Sequence, residues 1–286
     1  MQTASWSNVT EAPLYQEHLL LGALFGELEA FLAAPLHYGN PQAERESFAE
    51  GCALSDLTGM TSILVTGEGA ESFIATACAC EALAVGSCSF GAVVTGDGSI
   101  ASVPLVARTG NNEYLVLDPS ERGLMLQPWL QFLANIEQNG FKPFASVKVE
   151  DATDALVPLP LWGPQARAIL ADYVPTIDAL PEAGHIRNVR LDRIECLVAC
   201  LPLADEEAYV VFAPPAMART LWRSFLSFGS VAPVGIHQLG SKARASMPWM
   251  KRVLSQDRFE ATLEELLEWE LARAERTFVG ARALES

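Results

Sequence analysis

Basic residues are scarce in this sequence. The 286 residues include 19 Lys and Arg against 35 Asp and Glu, which gives a formal net charge of -16. A surface of that sign repels the phosphates of nucleic acids and the headgroups of anionic membranes. We therefore expect neither a nucleic acid nor a membrane among the partners of this protein, and we interpret the acidity as a source of solubility.

Long apolar runs are also missing. The longer ones, at 19–25, 155–164 and 196–204, are too short to span a bilayer, and no basic stretch precedes the first of them. The sequence therefore predicts neither a transmembrane segment nor an export signal, and we expect a cytoplasmic protein.

Cysteines with the spacing of a redox or zinc site are absent. None of the six cysteines forms a Cys-X-X-Cys pair, and no histidine lies near the Cys-X-Cys pair of Cys78 and Cys80. Such a pair can bind a metal, but small thiols in an alanine-rich stretch are typical of apolar packing in a reducing compartment. We expect buried thiols, no disulfide and no metal site.

The overall composition is typical of a compact globular protein, because half of the residues are apolar and 19% are charged. The length allows two ordinary domains or one large interleaved unit. Short apolar runs separated by Gly and Asn turns predict an α+β fold with antiparallel sheets, and no βαβ series indicates a Rossmann fold. We predict strands at 61–65, 90–95, 100–108, 113–118, 185–191, 195–201 and 209–212, two short strands within 141–163, and helices at 13–33, 70–83, 120–139, 164–171, 216–226 and 257–276.

Three of the predicted helices depend on apolar residues at helical spacing. At 13–33 the stripe includes Leu19, Leu20 and Leu24. At 257–276 a continuous amphipathic helix is expected, and Asp257 with Glu260 resembles a capping box at its start. The helix at 120–139 is expected to bury Leu124, Trp129, Phe132 and Leu133.

Eight short strings, taken in order along the chain, resemble landmarks of the aminomethyltransferase (T-protein) of the glycine cleavage system. Each string alone is weak evidence, but eight in the right order with nearly the right spacing are hard to attribute to chance. LSDLTGM, for example, is similar to a family segment of the form Phe-Asp-Val-Ser-His-Met. The strings are PLYQEH at 13–18, PLHYG at 35–39, LSDLTGM at 54–60, the hairpin GDGSIASVPLVAR with EYLVLD at 96–118, LWGPQA at 161–166, ADEEAYVVFAPP at 204–215, PVGIHQLGSKARASM at 233–247 and TFVGARAL at 277–284.

The resemblance implies a folate-binding fold of three lobes with tetrahydrofolate in a central channel. It implies a discontinuous Greek-key lobe over 1–50 and 147–235, into which a ferredoxin-like αβ lobe is inserted over 51–146 and 236–286, with the C-terminal helix. The sequence ends just after TFVGARAL, where the third, barrel-shaped lobe of the family would begin. The channel is therefore expected to be open on one side, and a partner subunit or a homodimer is expected to close it.

The same resemblance places the carboxylate that transfers one-carbon units on a hairpin strand. Without gaps, the family's Asp-Asp pair falls on Ala101 and Ser102, neither of which can act as a base or stabilise a cation. Asp97, four residues earlier, is a substitute candidate for the catalytic group. An Asp before a Gly is also ordinary turn chemistry, and this turn explanation is the better supported of the two.

Three residues stand where the resemblance implies contacts with folate. Glu206 matches a Glu that hydrogen-bonds the pterin ring, although a polar turn explains it equally well, and Tyr38 can stack on a flat heterocycle or pack in the core. Asp118 takes the place of a family Asn. The guanidinium of an Ala-Arg-Asp segment is lost, and Lys242 or Arg244 either replaces it or belongs to a solvated basic turn.

The sequence therefore predicts a tetrahydrofolate-binding, aminomethyltransferase-like protein of one-carbon metabolism with weak or altered transferase activity. A non-catalytic folate-binding or assembly subunit that works with a partner protein is the main alternative, because the hairpin carboxylate is lost. An interaction protein with an empty channel is a third hypothesis, which the retained Glu206 and Tyr38 disfavour. His18 and His37 have no third partner in the sequence and receive no catalytic role.

Overall fold

Helices of the protein are mostly short. The structure, a computed structural model, describes residues 9–26, 33–255 and 259–285. Within these ranges the chain forms nine α-helices, and single 3-10 turns at Val9–Glu11, Ile177–Ala179 and Ala283–Glu285. The α-helices are α1 (Tyr15–Leu20), α2 (Pro41–Glu50), α3 (Ala70–Ala77), α4 (Gly123–Ala134), α5 (Ala166–Ala171), α6 (Pro215–Leu226), α7 (Ile236–Ser246), α8 (Met250–Ser255) and α9 (Leu263–Glu268).

Antiparallel pairing dominates the strands. The same described ranges contain thirteen of them, and the predicted α+β composition is confirmed. The strands are β1 (Cys52–Leu54), β2 (Thr61–Thr66), β3 (Cys88–Phe90), β4 (Val93–Val94), β5 (Ile100–Ser102), β6 (Leu105–Gly110), β7 (Glu113–Asp118), β8 (Lys148–Asp151), β9 (Val157–Trp162), β10 (His185–Leu191), β11 (Ile194–Cys200), β12 (Ala208–Ala213) and β13 (Val231–Pro233).

The first of two compact units comprises Met1–Met60 and Thr153–Met247. Its six-stranded sheet has the order β10-β11-β12-β9-β1-β13, in which only β1 and β13 pair in parallel. Strands β9 and β12 are buried along their whole length, as their continuous apolar runs require. Trp222 and Phe225 of α6 are fully buried in the core that the sheet shares with α5 and α6.

The second unit comprises Thr61–Ala152 and Pro248–Ser286. Its five-stranded antiparallel sheet has the order β3-β6-β7-β2-β8, and β4 and β5 form a separate two-stranded hairpin. Phe73 of α3 and Leu126 and Leu130 of α4 are buried against Ile63 and Val116 of the sheet. Helices α3 and α4 therefore provide the apolar cover that this sheet needs.

Boundaries between the units lie at residues 60, 152 and 247, whereas the sequence predicts lobe boundaries at 50, 146 and 235. The first boundary lies beyond β1, because β1 pairs with β9 and β13 in the first unit. The last lies beyond α7, whose Lys242 and Ser246 contact Glu206 of the first unit. The assignment of the units as Greek-key and ferredoxin-like lobes stays a prediction.

The predicted N-terminal helix at 13–33 is wrong over most of its described length. Helix α1 ends at Leu20, and Gly22 takes a positive φ of 76°. Leu24 then pairs with His37 in an isolated antiparallel bridge. The apolar stripe has no core to face, since Leu20 is 76% exposed. Glycine at the turn therefore decides the end of the helix, and residues 27–32 of the prediction lie outside the described residues.

The continuous helix predicted at 257–276 is wrong as well. The described part contains only α9, which starts at a capping box between Thr262 and Glu265. Glu270 has a positive φ of 57°, which ends the helical path before Leu271, and Leu271 is fully buried. The capping box suggested for Asp257 falls on a residue outside the described ranges.

Helices α3 and α4 are shorter than predicted, and one buried face differs. Helix α3 ends at Ala77, because Cys78 is extended. Helix α4 starts at Gly123 and buries Leu126, Leu130 and Leu133, whereas Leu124 and Phe132, predicted to face inward, are 49% and 59% exposed. Leu133 is buried as predicted, and Trp129 packs against the core of the second unit.

Helices α2, α7 and α8 lie in segments for which apolar spacing predicts none. Helix α2 is largely polar, so it carries little apolar stripe, yet its start is marked by Asn40, whose side chain accepts from the Ala43 amide, and by Pro41. An Asn followed by Pro is a helix-start signal that could have identified it. Across the described residues, no helix is long and apolar enough to cross a membrane.

Candidate functional site

Glu206 lies in the turn that leads into β12. Asp205 beside it has a positive φ of 57°, which Asp tolerates better than most residues. On the neighbouring strand β9, Trp162 lies opposite Ala208 and donates its Nε1–H to Glu206 Oε2 at 2.6 Å. The turn and the strand register together place the Trp162 indole against this carboxylate.

Two further partners of Glu206 come from α7. Lys242 Nζ lies 2.9 Å from Oε2, and Ser246 Oγ donates to Oε1 at 2.7 Å. These residues are four apart, so they share one helix face. Burial by itself raises the pKa of Glu206, but hydrogen bonds from Ser246, Lys242 and Trp162 outweigh it and hold the pKa below its ordinary value of 4.5. The carboxylate is therefore ionised at neutral pH.

Tyr38 belongs to a buried hydrogen-bond network. Its hydroxyl lies 2.8 Å from His18 Nδ1, and His18 Nε2 lies 2.9 Å from Asp56 Oδ2. Burial, with Asp56 and Glu44 nearby, raises the pKa of Tyr38, so the phenol stays protonated. Asp56 also accepts a hydrogen bond from the Thr58 amide. The ring of Tyr38 packs against the core of the first unit, as the core-packing alternative predicts.

Glu44 of α2 connects two loops of the first unit. It is 3% exposed, and its two carboxylate oxygens accept from the backbone N–H groups of Tyr38 at 2.8 Å and Gly235 at 2.9 Å. Gly235 is the residue immediately before α7, and a Cβ there would lie 2.2 Å from the carbonyl oxygen of Leu36. Glu44 therefore fixes both the Tyr38 loop and the start of the helix that contacts Glu206.

In the second unit, Asp118 and Ser102 contact each other directly. Ser102 Oγ on β5 donates to Asp118 Oδ2 at the end of β7, and Asp118 Oδ1 accepts from the Ser120 amide at 2.7 Å. Both side chains are buried, whereas Ala101 is partly exposed. Burial raises the pKa of Asp118, and the hydrogen bonds from Ser102 and Ser120 offset this only in part. Strand β5 thus supplies a serine, and the carboxylate that this serine contacts belongs to Asp118 at the end of β7.

Asp97 is engaged in its own turn. Its Oδ1 accepts from the Ser99 amide at 3.1 Å and from Thr95 Oγ1 at 2.5 Å. These contacts are those of the turn alternative considered for this residue. Arg244 is likewise engaged locally, donating to Ser241 Oγ at 3.1 Å. Among the described residues, no three His, Cys, Asp or Glu side chains are grouped to hold a metal ion.

A model of one protein family, described as the GCVT N-terminal domain, matches residues 14–257. That range covers most of the chain. The protein belongs to this family. The resemblance to glycine cleavage T-proteins inferred from the eight strings is thereby confirmed, and it extends through both compact units.

Known relatives of this family member include curated aminomethyltransferases. The one from Rubrobacter xylanophilus is 25% identical over 82% of this chain and 61% of its own length, and one from Thermus thermophilus is 26% identical over 96% and 76%. For a third, from Saccharopolyspora erythraea, the identity is 26%, over 84% of this chain and 63% of the relative. The chain therefore spans less than two thirds of two of these relatives.

One solved structure has the same fold as this chain of the GCVT family. Glycine cleavage system aminomethyltransferase T from Bartonella henselae superposes with a TM-score of 0.75 over 96% of this chain and 73% of that chain, at 22% sequence identity. At that identity the match concerns the fold. The α+β fold is thus the T-protein fold.

Several polar residues of this family member were not identified from its sequence. Glu44 accepts from the Tyr38 amide, six positions away, and Asp56 contacts His18 across 38 positions. Ser246 donates to Glu206 across 40 positions. Asp56 lies within the LSDLTGM string, and Ser246 within PVGIHQLGSKARASM, so the resemblance marked their segments without marking their roles. Lys242, considered as an anion ligand, instead pairs with Glu206.

Proposed function

We propose that this protein binds tetrahydrofolate through Glu206 and acts as an aminomethyltransferase-like protein of one-carbon metabolism with weak or altered transfer activity. The observation that carries the proposal is the ionised carboxylate of Glu206, held by Trp162, Lys242 and Ser246 in a chain that matches the family over 14–257. Bound tetrahydrofolate would supply the amine that accepts the one-carbon unit.

The donor set around Glu206 fits a pterin ring in part. A carboxylate has about four lone-pair sites, and three donors from this chain use three of them. One site on Oε1 is left for an N–H group of the ring. A pterin edge that offers two N–H groups therefore needs the Ser246 hydroxyl or the Lys242 ammonium to turn away. Both groups belong to side chains on α7 that can rotate, so the exchange needs no backbone movement.

The proposed low activity follows from the surroundings of Asp118. The resemblance aligns the reactive carboxylates of the family with Ala101 and Ser102, and Ser102 contacts the carboxylate of Asp118. Asp118 is 3% exposed and is already bonded by the Ser120 amide. A buried carboxylate behind a serine can hold a proton, but it reaches a substrate poorly. The loss of a positioned acid–base group typically lowers a rate by about 10²–10⁴-fold.

A non-catalytic folate-binding or assembly subunit is the second candidate function. The burial of Asp118 favours it, since a protein that only binds folate needs Glu206 and does not need an accessible acid–base group. In this case the protein would act together with a partner protein. Sedimentation at micromolar concentration would test the homodimer form of this idea, and a clean monomer would contradict self-association.

Calorimetric titration with tetrahydrofolate under anaerobic conditions tests the binding proposal. We expect Glu206→Ala to weaken binding by about 1.5–3 kcal/mol, the usual worth of a hydrogen bond to a charged group. Glu182→Ala, at an exposed carboxylate of the same unit, is the control and should leave the affinity unchanged. No heat with the native chain would contradict folate binding. Equal affinity of the native chain and Glu206→Ala would contradict the role of Glu206 alone.

A transfer assay with an aminomethyl-lipoyl carrier tests the catalytic part. We expect turnover about 10²–10⁴-fold below that of an ordinary T-protein, because neither Ala101 nor Ser102 supplies a carboxylate. Turnover at the ordinary rate would refute this expectation. Asp118→Asn and Asp97→Asn, compared under the same conditions, would then identify which carboxylate substitutes for the missing pair.

A further inference from the structure

The second unit contains a pocket that the proposed folate contacts do not use. Its volume is about 560 Å³, which falls within the usual range for small-molecule sites. It lies beside α3, the start of β7 and the segment around Arg273. The side chains of Ile74 and Leu83 give it an apolar wall.

Tyr114 lines this pocket, and within the described ranges its hydroxyl makes no hydrogen bond to a protein group. The residue as a whole is 2% exposed, but the hydroxyl oxygen itself is not closed off from the pocket. A water or a ligand in the pocket can therefore bond this hydroxyl. Burial raises the pKa of Tyr114, which keeps the phenol protonated and able both to accept and to donate.

Carboxylates dominate the charge of the pocket. Glu68, Glu71 and Glu81 line it. Glu71 is paired with Arg108 at 2.9 Å, whereas Glu68 and Glu81 make neither an ion pair nor a side-chain hydrogen bond within the part of the chain that the structure describes. Two carboxylates thus remain available at the rim, and an anionic ligand would face repulsion from them.

Among the described residues that line the pocket, the cation is Arg273, and the wall itself engages both of its terminal nitrogens. Arg108 lies over the Tyr114 ring, 5.4 Å from its centroid, and is engaged by Glu71 and by the backbone carbonyl of Leu83. The two terminal nitrogens of Arg273 donate to the backbone carbonyls of Ala75, Cys78 and Cys80 and to the Thr277 hydroxyl. These four bonds leave only Nε–H, so the guanidinium cannot offer the two-pronged contact that carboxylates and phosphates prefer. Burial raises the pKa of the Cys80 thiol to about 11, so this wall residue is uncharged and unreactive.

We propose that this pocket binds a small organic ammonium ion, whose charged nitrogen contacts Glu68, Glu81 and the Tyr114 hydroxyl oxygen while its apolar part packs on Ile74 and Leu83. An ammonium group donates and never accepts, which matches two free carboxylates and a phenol oxygen. The apolar wall accounts for an organic ion in preference to an inorganic one. The site is independent of folate, because none of its residues belongs to the proposed folate site.

The test uses the chain of residues 1–286 and 4-phenylbutylammonium as the probe. Titration followed by nuclear magnetic resonance of the ¹⁵N-labelled chain should move the Gly69 and Asn112 signals, since both residues line the pocket. The neutral analogue 4-phenylbutan-1-ol and the anion 4-phenylbutyrate have the same apolar body. We expect each to bind at least about tenfold more weakly, the worth of a charge-assisted hydrogen bond. Equal binding of the alcohol would overturn the proposal, because hydrophobic burial alone would then explain the affinity.

Variants separate the contributions of the three oxygen groups. Tyr114→Phe should weaken the probe by about tenfold or more, the worth of a hydrogen bond to a charged group. Glu68→Gln and Glu81→Gln should each weaken it by about 1.5–5-fold, as exposed ion pairs do. Glu150→Gln, on the exposed β8 and away from the pocket, is the matched control. Unchanged affinity in both Glu variants would overturn the assignment even if Tyr114→Phe folds poorly.

One further probe distinguishes a free small molecule from a lysine side chain of another protein as the source of the ammonium group. Nα-acetyl-lysine N-methylamide carries the same group on a peptide backbone. We expect it to bind no more tightly than 4-phenylbutylammonium, because the enclosed volume suits a free small molecule. Clearly tighter binding of the lysine derivative would overturn the small-molecule assignment and indicate a lysine side chain of another protein.

Discussion

Replacement of Glu44 by Ala tests whether a single buried carboxylate organises the loops of the first unit. Glu44 accepts from the backbone N–H groups of Tyr38 and Gly235, and these residues are 6 and 191 positions away from it. Within the described residues no cation pairs with Glu44. Its two hydrogen bonds therefore account for its burial.

The expected cost follows from those two bonds. A hydrogen bond to a charged group contributes about 1.5–3 kcal/mol, and removing the acceptor leaves a buried N–H without a partner. The hydrogen bond from the Gly235 amide is buried, so losing it should cost its full free energy. The hydrogen bond from the Tyr38 amide is only part-buried, so water can replace the carboxylate there. Removing Glu44 also removes the cost of burying a charge. We therefore expect Glu44→Ala to lower the free energy of unfolding by about 2–4 kcal/mol.

Urea denaturation and hydrogen exchange measure this prediction together. The control is Glu46→Ala, two positions along the same helix, where the exposed carboxylate accepts from the side chain of Gln42. Both variants replace a Glu of α2 by Ala, so they gain the same helix propensity. We expect Glu46→Ala to change the free energy of unfolding by less than about 0.5 kcal/mol. Exchange at the Gly235 amide should rise in Glu44→Ala alone. Equal stability of the two variants, within error, would refute the reasoning.

Three further predictions concern charge, thiols and backbone packing. Hydrogen bonds from Arg252 and from the Thr262 amide hold the pKa of Glu265 at about 2, so the stability it contributes is present above its ordinary pKa of 4.5 and is lost as the pH falls toward 2. Glu265→Gln should flatten the dependence of stability on pH in that window by about 0.2–1 kcal/mol, because the pair is partly exposed. A profile that stays unchanged would contradict this. All six thiols are buried, so a thiol reagent at about pH 8 should label none in the native protein and six in urea; rapid native labelling would disprove it. Gly235→Ala should cost about 1–3 kcal/mol because its Cβ meets Leu36, whereas Gly229→Ala, with open space around it, should be neutral; similar costs would argue against a steric cause.

The sequence was sufficient for the antiparallel strands and the family. The strands β2, β7, β10, β11 and β12 lie close to their predicted positions, because apolar runs between turn residues report a local property of the chain. The eight ordered strings identified the family that the comparison confirms over 14–257. Glu206, Tyr38 and Asp118 were predicted as site residues on that resemblance, and their ligand contacts stay predictions.

Local periodicity was insufficient at both ends of the chain. Leu19, Leu20 and Leu24 have helical spacing, but spacing does not reveal whether a core lies opposite them, and the backbone turns at Gly22. Similarly, Glu270 adopts a positive φ that lets Leu271 become buried. The glycine turn outweighed the helical pattern in the first segment, and the burial of Leu271 outweighed it in the second.

Only the tertiary structure decided how the polar side chains of the site are held. His18 meets Asp56 across 38 positions, and Glu206 meets Lys242 and Ser246 because α7 lies against the turn before β12. Ser102 meets Asp118 although their strands, β5 and β7, belong to different sheets. A sequence pattern reports the chemistry of each side chain and the local path of its backbone. Contacts between residues far apart in the chain depend on how strands register and helices pack, and that is fixed by the burial of the whole core.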